Sequence, residues 1–277
     1  MTLTLSHRLA RWGAGLVLVL FVLGPIYWIV SSSFKNPREI IQSTPSLWPN
    51  QIYLENYTQL LNSTPYLTFL SNSLIVAVAT MIATATVSTM AGYAMYRLRV
   101  PGSDLLARIV LLTYMVPGTL LLVPIYASLA STGLINSLAS LVIVNVAFSS
   151  PFCVWLLRGF FDAIPREIDE AAAVDGAGPV VILWKVILPA LAPGLGTICL
   201  YAFVYSWTEF VFASQLIVSD SLKTLPIGLS AIMGQYNIHW GLLMAGASLT
   251  MLPVGLLFAA VGRYFVRGLT AGAVQGM

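Results

Sequence analysis

The chain has 277 residues, of which 58% are hydrophobic and 8% charged, and its formal net charge is +3. Soluble domains carry roughly 25% charged residues, so too little polar surface exists here to cover a soluble globule. The bases are scattered at the edges of apolar runs rather than clustered, which excludes a nucleic-acid surface and reads as a topology signal.

Residues 12–30 form an uncharged run behind His7, Arg8 and Arg11. The run is longer than the apolar core of a signal peptide, and Ser31-Ser32-Ser33-Phe34 is a poor cleavage site, so it reads as a retained first span. Residues 31–69 are a polar loop with Pro37, Pro45, Pro49 and Pro65 and the aromatics Trp48, Tyr53 and Tyr57. Residues 70–96 form the second span. Its Thr80, Thr84 and Ser88 recur at i, i+4 and i+8, a row of small residues that lets helices approach closely in lipid; a solute pathway is the alternative use of that face.

Arg97, Arg99 and Arg108 bracket a Pro101-Gly102 turn. The third span, 109–130, contains Pro117-Gly118 and Pro124, which are expected to bend it. A short uncharged turn leads to the fourth span, 137–157, which Arg158 ends. Five of the ten acidic residues then fall between Asp162 and Asp175. The fifth span is read as 189–213 and the sixth as 241–262. Arg263 and Arg267 precede a small-residue tail.

The expected fold class is therefore all-α, a polytopic membrane protein with six transmembrane helices; the alternating strands of a barrel are absent. Six spans leave both termini on one side. With the N-terminus inside, Arg8, Arg11, Arg97, Arg99, Arg108, Arg158, Arg166, Lys185, Arg263 and Arg267 face the cytoplasm, and only Lys35, Arg38 and Lys223 face out. That asymmetry favours cytoplasmic termini and a cytoplasmic loop at 158–188. Trp12, Trp28, Trp155, Trp184, Trp207 and Trp240 lie near span ends, as an aromatic belt requires.

Within that loop, Pro165 suits the first position of a helix. Glu167 and Asp169 complement its positive N-terminus. Ile164, Ile168, Ala171 and Ala172 form a stripe opposite Arg166, Glu167, Asp169 and Glu170. Gly176 offers the left-handed position after the helix, and Pro179 can begin a second short helix. An interfacial lipid-binding helix is rich in bases; this one is acidic, which favours a protein partner.

Glu170-Ala171-Ala172, Gly176, Val186 and Leu188-Pro189 resemble the EAA motif of ABC importer permeases, in particular the carbohydrate-uptake group that holds the smaller membrane subunit of maltose-type importers. The family pattern has Ile at the place of Val186. Further matching pieces are Ser33-Phe34-Lys35, Leu54-Glu55-Asn56-Tyr57, Ser73-Leu74-Ile75-Val76-Ala77, Ile164-Pro165, Asp175-Gly176-Ala177 and the Gly268–Ala273 tail. A departure is Ser206-Trp207-Thr208-Glu209-Phe210, where the family often has Asn for Thr208.

The resemblance implies one transmembrane permease domain over 1–277, in a bacterial or archaeal plasma (inner) membrane. It implies a coupling helix carrying Glu170, Ala171, Ala172, Asp175, Gly176, Leu188 and Pro189. The implied partners are a second homologous permease subunit, two ATP-binding subunits that carry ATP and Mg, and an extracytoplasmic solute-binding protein. The chain itself has no GxxxxGK[ST] phosphate loop, no metal spacing, only two histidines far apart, and cysteines 153 and 199 inside apolar runs. No cofactor or metal on this chain and no enzymatic activity of its own are expected.

Tyr201, Tyr205 and Glu209 continue one another at i+4, and Glu209 is an acid inside the predicted fifth span. Intramembrane acids are candidates for function, so these three, with Asn145 in the fourth span, are candidate solute-cavity residues. Interhelical hydrogen bonding is the plainer role for Asn145, and an interfacial, hydrogen-bonded place beside Trp207 for Glu209. Two other functions fit a chain of six spans: a self-contained secondary transporter, with Glu209 as its one intramembrane acid, and a membrane scaffold that recruits a partner through 158–188.

Overall fold

A computed structural model describes residues 5–98, 100–233 and 239–274. Arg99 lies outside the described residues, as do the side chains of Arg8, Arg263, Arg267 and the Gly268–Ala273 tail. Among the described residues the structure is helical, with no strands. Contacts divide the chain into two units, Met1–Leu67 with Gly228–Leu252, and Thr68–Ile227 with Pro253–Met277.

The first unit opens with α1 (Leu5–Ser33). Its 29 residues reach about 43 Å at 1.5 Å per residue, beyond the ~30 Å hydrocarbon core of a bilayer. Trp12, Leu16, Val17, Phe21 and Leu23 all point outward, which lipid tolerates and water does not. The loop after α1 is pinned by its polar groups. Asn36 caps the single turn α2 (Pro37–Ile40), accepting from the Arg38 N–H at 3.0 Å. Lys35 is buried; its ammonium lies 4.3 Å from the centre of the Trp28 ring and donates to the Ser46 carbonyl at 2.5 Å. The Glu39 carboxylate accepts from the Ser46 hydroxyl and the Asn50 N–H.

Helix α3 (Glu55–Ser63) then brings Asn56 back to α1. Its amide donates to the carbonyls of Ser33 and Lys35, both at 2.9 Å, and the Tyr57 and Ser33 hydroxyls meet at 2.6 Å. Two of the segments that resemble the permease pattern, Ser33-Phe34-Lys35 and Leu54-Glu55-Asn56-Tyr57, are thus one joint. A Cβ at Gly241 would fall 2.2 Å from the Asn56 amide oxygen, so a side chain there would push Asn56 off its two carbonyls.

The second unit holds α4 (Tyr66–Gly92) from Thr68 onward. A π turn over Tyr93–Arg97 ends it, with the Leu98 N–H donating to the Tyr93 carbonyl at 3.0 Å. Helices α5 (Ser103–Tyr114) and α6 (Leu122–Ser131), joined by a 3₁₀ turn at Gly118–Leu121, are bent by 90°. The expected third span, 109–130, is therefore two helices that begin at Ser103. Pro117 lacks the N–H that would continue α5 and holds an extended backbone.

Helix α7 (Leu138–Asp162) starts at a Ser137 cap and runs five residues past the expected end at 157. Helix α8 (Glu167–Val174) and the short α9 (Pro179–Ile182) follow. A second π turn, Leu183–Ile187, leads into α10 (Leu188–Ala190), and α11 (Ala192–Trp207) leaves at 82° to that segment.

The expected fifth span, 189–213, is interrupted. Helix α11 stops at Trp207, and α12 (Val211–Leu216) is a separate turn and a half. The 16 residues of α11 reach about 24 Å, short of the ~30 Å core. Side chains at the break take up part of its polar backbone, as a bilayer favours. The Glu209 carboxylate accepts from the Phe212 and Ala213 N–H groups at 2.6 and 2.9 Å, and the Thr208 hydroxyl donates to the Val204 carbonyl at 2.9 Å. The belt assignment fails for Trp207, which is buried and stacks on Phe203 with ring centres 5.4 Å apart.

Helices α13 (Leu225–Ile232) and α14 (Trp240–Val274) complete the order. Among the described residues four helices are long and apolar enough to span a membrane, or six when each bent pair is one span.

Candidate functional site

The segment after α7 is built by what holds its two ends. Helix α8 begins at Glu167, two residues later than Pro165 suggested, because Ile164 and Pro165 give their carbonyls to Arg97 instead of to a first helical turn. Arg166 is the entry residue, and its carbonyl accepts from the Asp169 and Glu170 N–H groups. Glu167, Asp169 and Glu170 sit in the first turn, where negative charge complements the exposed N–H groups.

The exit is a left-handed turn. Gly176 has φ +84°, and the Ala177 N–H donates to the Ala172 carbonyl at 3.0 Å. This closes the last carbonyls of α8 in the way a C-terminal glycine motif does.

Of the residues expected on this element, Glu170, Ala171, Asp175 and Gly176 face outward. The expected stripe divides. Ile164 and Ala172 turn inward, and Ala172 packs, with Ala177 and Val186, on a buried cluster of Phe161, Ile164, Ile182, Leu183, Ile187 and Leu191. Ile168 and Ala171 stay exposed, because a helix of two turns resting on one edge has room for a narrower stripe. Leu188 and Pro189 lie on α10, half-buried and exposed respectively. The exposed surface is more apolar than the acidic sequence suggests: Val174 is 87% exposed and Val180 69%, and Ile168, Val181 and Trp184 are exposed as well.

The anchor of this segment is a residue that the sequence presents only as a topology charge. The Arg97 side chain is 4% exposed and forms an ion pair with Asp169. Its guanidinium also donates to the carbonyls of Ile164 and Pro165, each at 2.7 Å, and of Phe161 at 3.4 Å. The Tyr93 hydroxyl donates to the Pro179 carbonyl at 3.1 Å. A Cβ at Gly92 would stand 2.7 Å from the Phe161 ring, so that glycine lets α4 and α7 meet.

Deeper in the same unit lies a polar layer. Thr80, Thr84, Ser88, Asn145 and Ser149 are buried. The Thr84 and Ser149 hydroxyls meet at 2.8 Å, the Asn145 amide donates to the Ser206 hydroxyl at 2.9 Å, and Ser206 donates to Thr80 at 3.4 Å. The Thr80–Thr84–Ser88 row is thus a packing face that binds α4, α7 and α11. Each such interhelical hydrogen bond contributes about 0.6 kcal/mol.

Tyr201 and Tyr205 stay together on α11, with ring centres 6.1 Å apart. Tyr201 also lies 4.5 Å from Phe152, which lies 5.3 Å from Tyr114. Glu209 is off the helix that carries the two tyrosines, and its two carboxylate oxygens are turned to the α12 backbone. Asn145 belongs to the polar layer, where its amide is committed to Ser206.

Among the described residues no group of histidine, cysteine, aspartate and glutamate could hold a metal ion.

Residues 85–271 match the family of binding-protein-dependent transport system inner membrane components. An inner membrane ABC transporter permease protein of Escherichia coli is 34% identical, over 99% of both chains. A sulfoquinovosyl glycerol transport system permease of Agrobacterium fabrum is 32% identical over 98% of this chain and 95% of its own, and a diacetylchitobiose uptake permease of Streptomyces coelicolor 32% over 96% and 97%. The fold is that of a solved bacterial ABC transporter involved in import of the acidic polysaccharide alginate, with a TM-score of 0.81 at 22% identity, covering 96% of this chain and 99% of that one. With helices and four to six candidate spans among its described residues, and relatives matching it end to end, the chain belongs to the binding-protein-dependent transport system inner membrane components, the membrane-embedded permeases of ABC transporters.

Proposed function

We propose that this chain is one permease subunit of an ABC importer for a carbohydrate or related polar solute, acting as a single permease domain, and that α8 is its coupling helix. The observation that carries this reading is a short helix held rigidly by Arg97 and Asp169 while Glu170, Ala171, Val174 and Asp175 face outward. A surface that is part acidic and part apolar suits a protein groove with basic and hydrophobic lining. Both termini and α8 lie in the cytoplasm on this reading, supported by the distribution of Arg and Lys.

The motor is supplied by others. Two ATP-binding subunits hold ATP and Mg and hydrolyse the nucleotide; this chain contributes no catalysis. A second homologous permease subunit completes the pathway, and a solute-binding protein outside delivers the cargo. Closure of the ATP-binding subunits pulls α8, and the spans switch between two arrangements.

Relatives named for sulfoquinovosyl glycerol and diacetylchitobiose support a carbohydrate cargo. Tyr201 and Tyr205 add half-buried aromatic faces and hydroxyls, the chemistry that holds sugar rings.

The test is reconstitution with the ATP-binding and solute-binding proteins encoded beside the chain. Solute-loaded binding protein is expected to stimulate ATP hydrolysis, and a cysteine at Val174 is expected to cross-link to the ATP-binding subunit. Ion-gradient uptake by the chain alone would instead make it a secondary transporter, and neither activity would leave a scaffold.

A further inference from the structure

Among the described residues, Arg97 is the one side chain whose hydrogen bonds join the end of α4 to both α8 and the end of α7. Its position is unusual for an arginine at a span end, since such side chains ordinarily reach into water. Here the guanidinium is withdrawn and spends its donors on three carbonyls and one carboxylate. The Phe161 carbonyl lies in the last turn of α7 and those of Ile164 and Pro165 just beyond it, and a cation there meets the negative end of the helix.

The partner is equally committed. Asp169 Oδ2 takes the ion pair, and Oδ1 is buried with no hydrogen-bond partner among the described residues. Without Arg97, that carboxylate loses its side-chain partner among the described residues. The π turn at Tyr93–Arg97 is what aims the side chain, and such turns recur at functional sites. Arg166 adds a weaker tie, donating to the Tyr96 carbonyl at 3.5 Å.

We infer that Arg97 is a positioning residue that makes α8 and the ends of α4 and α7 move as one body, so that a pull on α8 reaches two spans at once. The inference rests on the reading of α8 as the coupling helix. A fixed linkage is needed because a displacement applied to α8 alone would otherwise be absorbed by the short loops at 163–166 and 175–178.

The test uses the full complex in lipid nanodiscs, with Cys153 and Cys199 replaced and nitroxide labels at Thr86→Cys on α4 and Glu167→Cys on α8. The label-to-label distance is measured by pulsed electron resonance without nucleotide and after trapping with ATP and vanadate. With Arg97 in place the distance is expected to stay unchanged between the two states. In Arg97→Gln it is expected to shift on trapping while the amount of trapped nucleotide stays at the wild-type level. A merely structural defect would lower trapping and leave no state-dependent shift. Asp169→Asn, which keeps the carbonyl bonds, is measured alongside and is expected to shift too; it decides the matter if Arg97→Gln does not assemble. A distance that shifts in the parent, or one that stays fixed in the variants, overturns the inference. Failure of the coupling-helix reading shows separately, as absence of a Val174→Cys cross-link to the ATP-binding subunit.

Discussion

Asn145 on α7 and Ser206 on α11 meet at 2.9 Å, amide to hydroxyl, with both side chains buried. The bond ties two helices that also share apolar packing through Cys153, Leu157 and Ile198. Its removal by Asn145→Ala is expected to cost about 0.6 kcal/mol, seen as a small fall in the thermal midpoint of the purified chain. The half-saturation concentration for uptake is expected to stay unchanged. A large rise in that concentration with no loss of stability would make Asn145 a wall of the solute path instead.

Gly176 holds φ +84°, yet a Cβ added there would meet only open space. The penalty of substitution is therefore conformational rather than steric, about 1–2 kcal/mol for an L residue other than Asn or Asp. Gly176→Val or Gly176→Trp is expected to abolish uptake while membrane insertion, read by protease accessibility, is kept. Gly176→Asn is expected to retain much of the uptake, since Asn adopts the left-handed region most readily. Full transport by the tryptophan variant would remove α8 from the coupling path.

Glu209 caps α12 through two backbone N–H groups. Loss of a cap costs about 1 kcal/mol, so Glu209→Ala is expected to lower stability by that order. Glu209→Gln keeps an acceptor oxygen and is expected to retain uptake with an unaltered pH profile. Uptake that vanishes in Glu209→Gln, with the protein still folded, would point to proton or ion coupling through this acid.

Asn56 satisfies two carbonyls at the end of α1. Asn56→Ala leaves both without a partner, at about 1–3 kcal/mol each where they stay buried. Limited proteolysis of the purified chain is expected to cut the 36–54 loop faster in this variant. Asn56→Asp is expected to be as damaging, because a carboxylate accepts and cannot donate.

The spans were legible because apolar length is a one-dimensional signal. Runs at 12–30, 70–96, 137–157 and 241–262 all fall on long helices. The Gly176 turn and the start of α9 at Pro179 were legible for a similar reason, since glycine and proline impose their geometry locally. The two interrupted spans were not. Pro117 announces a bend in the third, but no local signal shows that the fifth stops at Trp207, because the stop depends on side chains such as Glu209 that satisfy the break. The Arg97–Asp169 pair was illegible outright: its members lie 72 positions apart, and a base at a span end looks the same whether it faces water or is folded inward.

The π turn at Tyr93–Arg97 carries one residue more than an α turn needs. If Tyr93–Arg97 closed as ordinary α-helix with every residue kept, the extra residue would be wound in at about 100°, and the guanidinium would swing about a quarter-turn away from the Asp169 carboxylate. Such a change injures direction and spares helicity: circular dichroism would register almost nothing, while α8 lost its hold on α4.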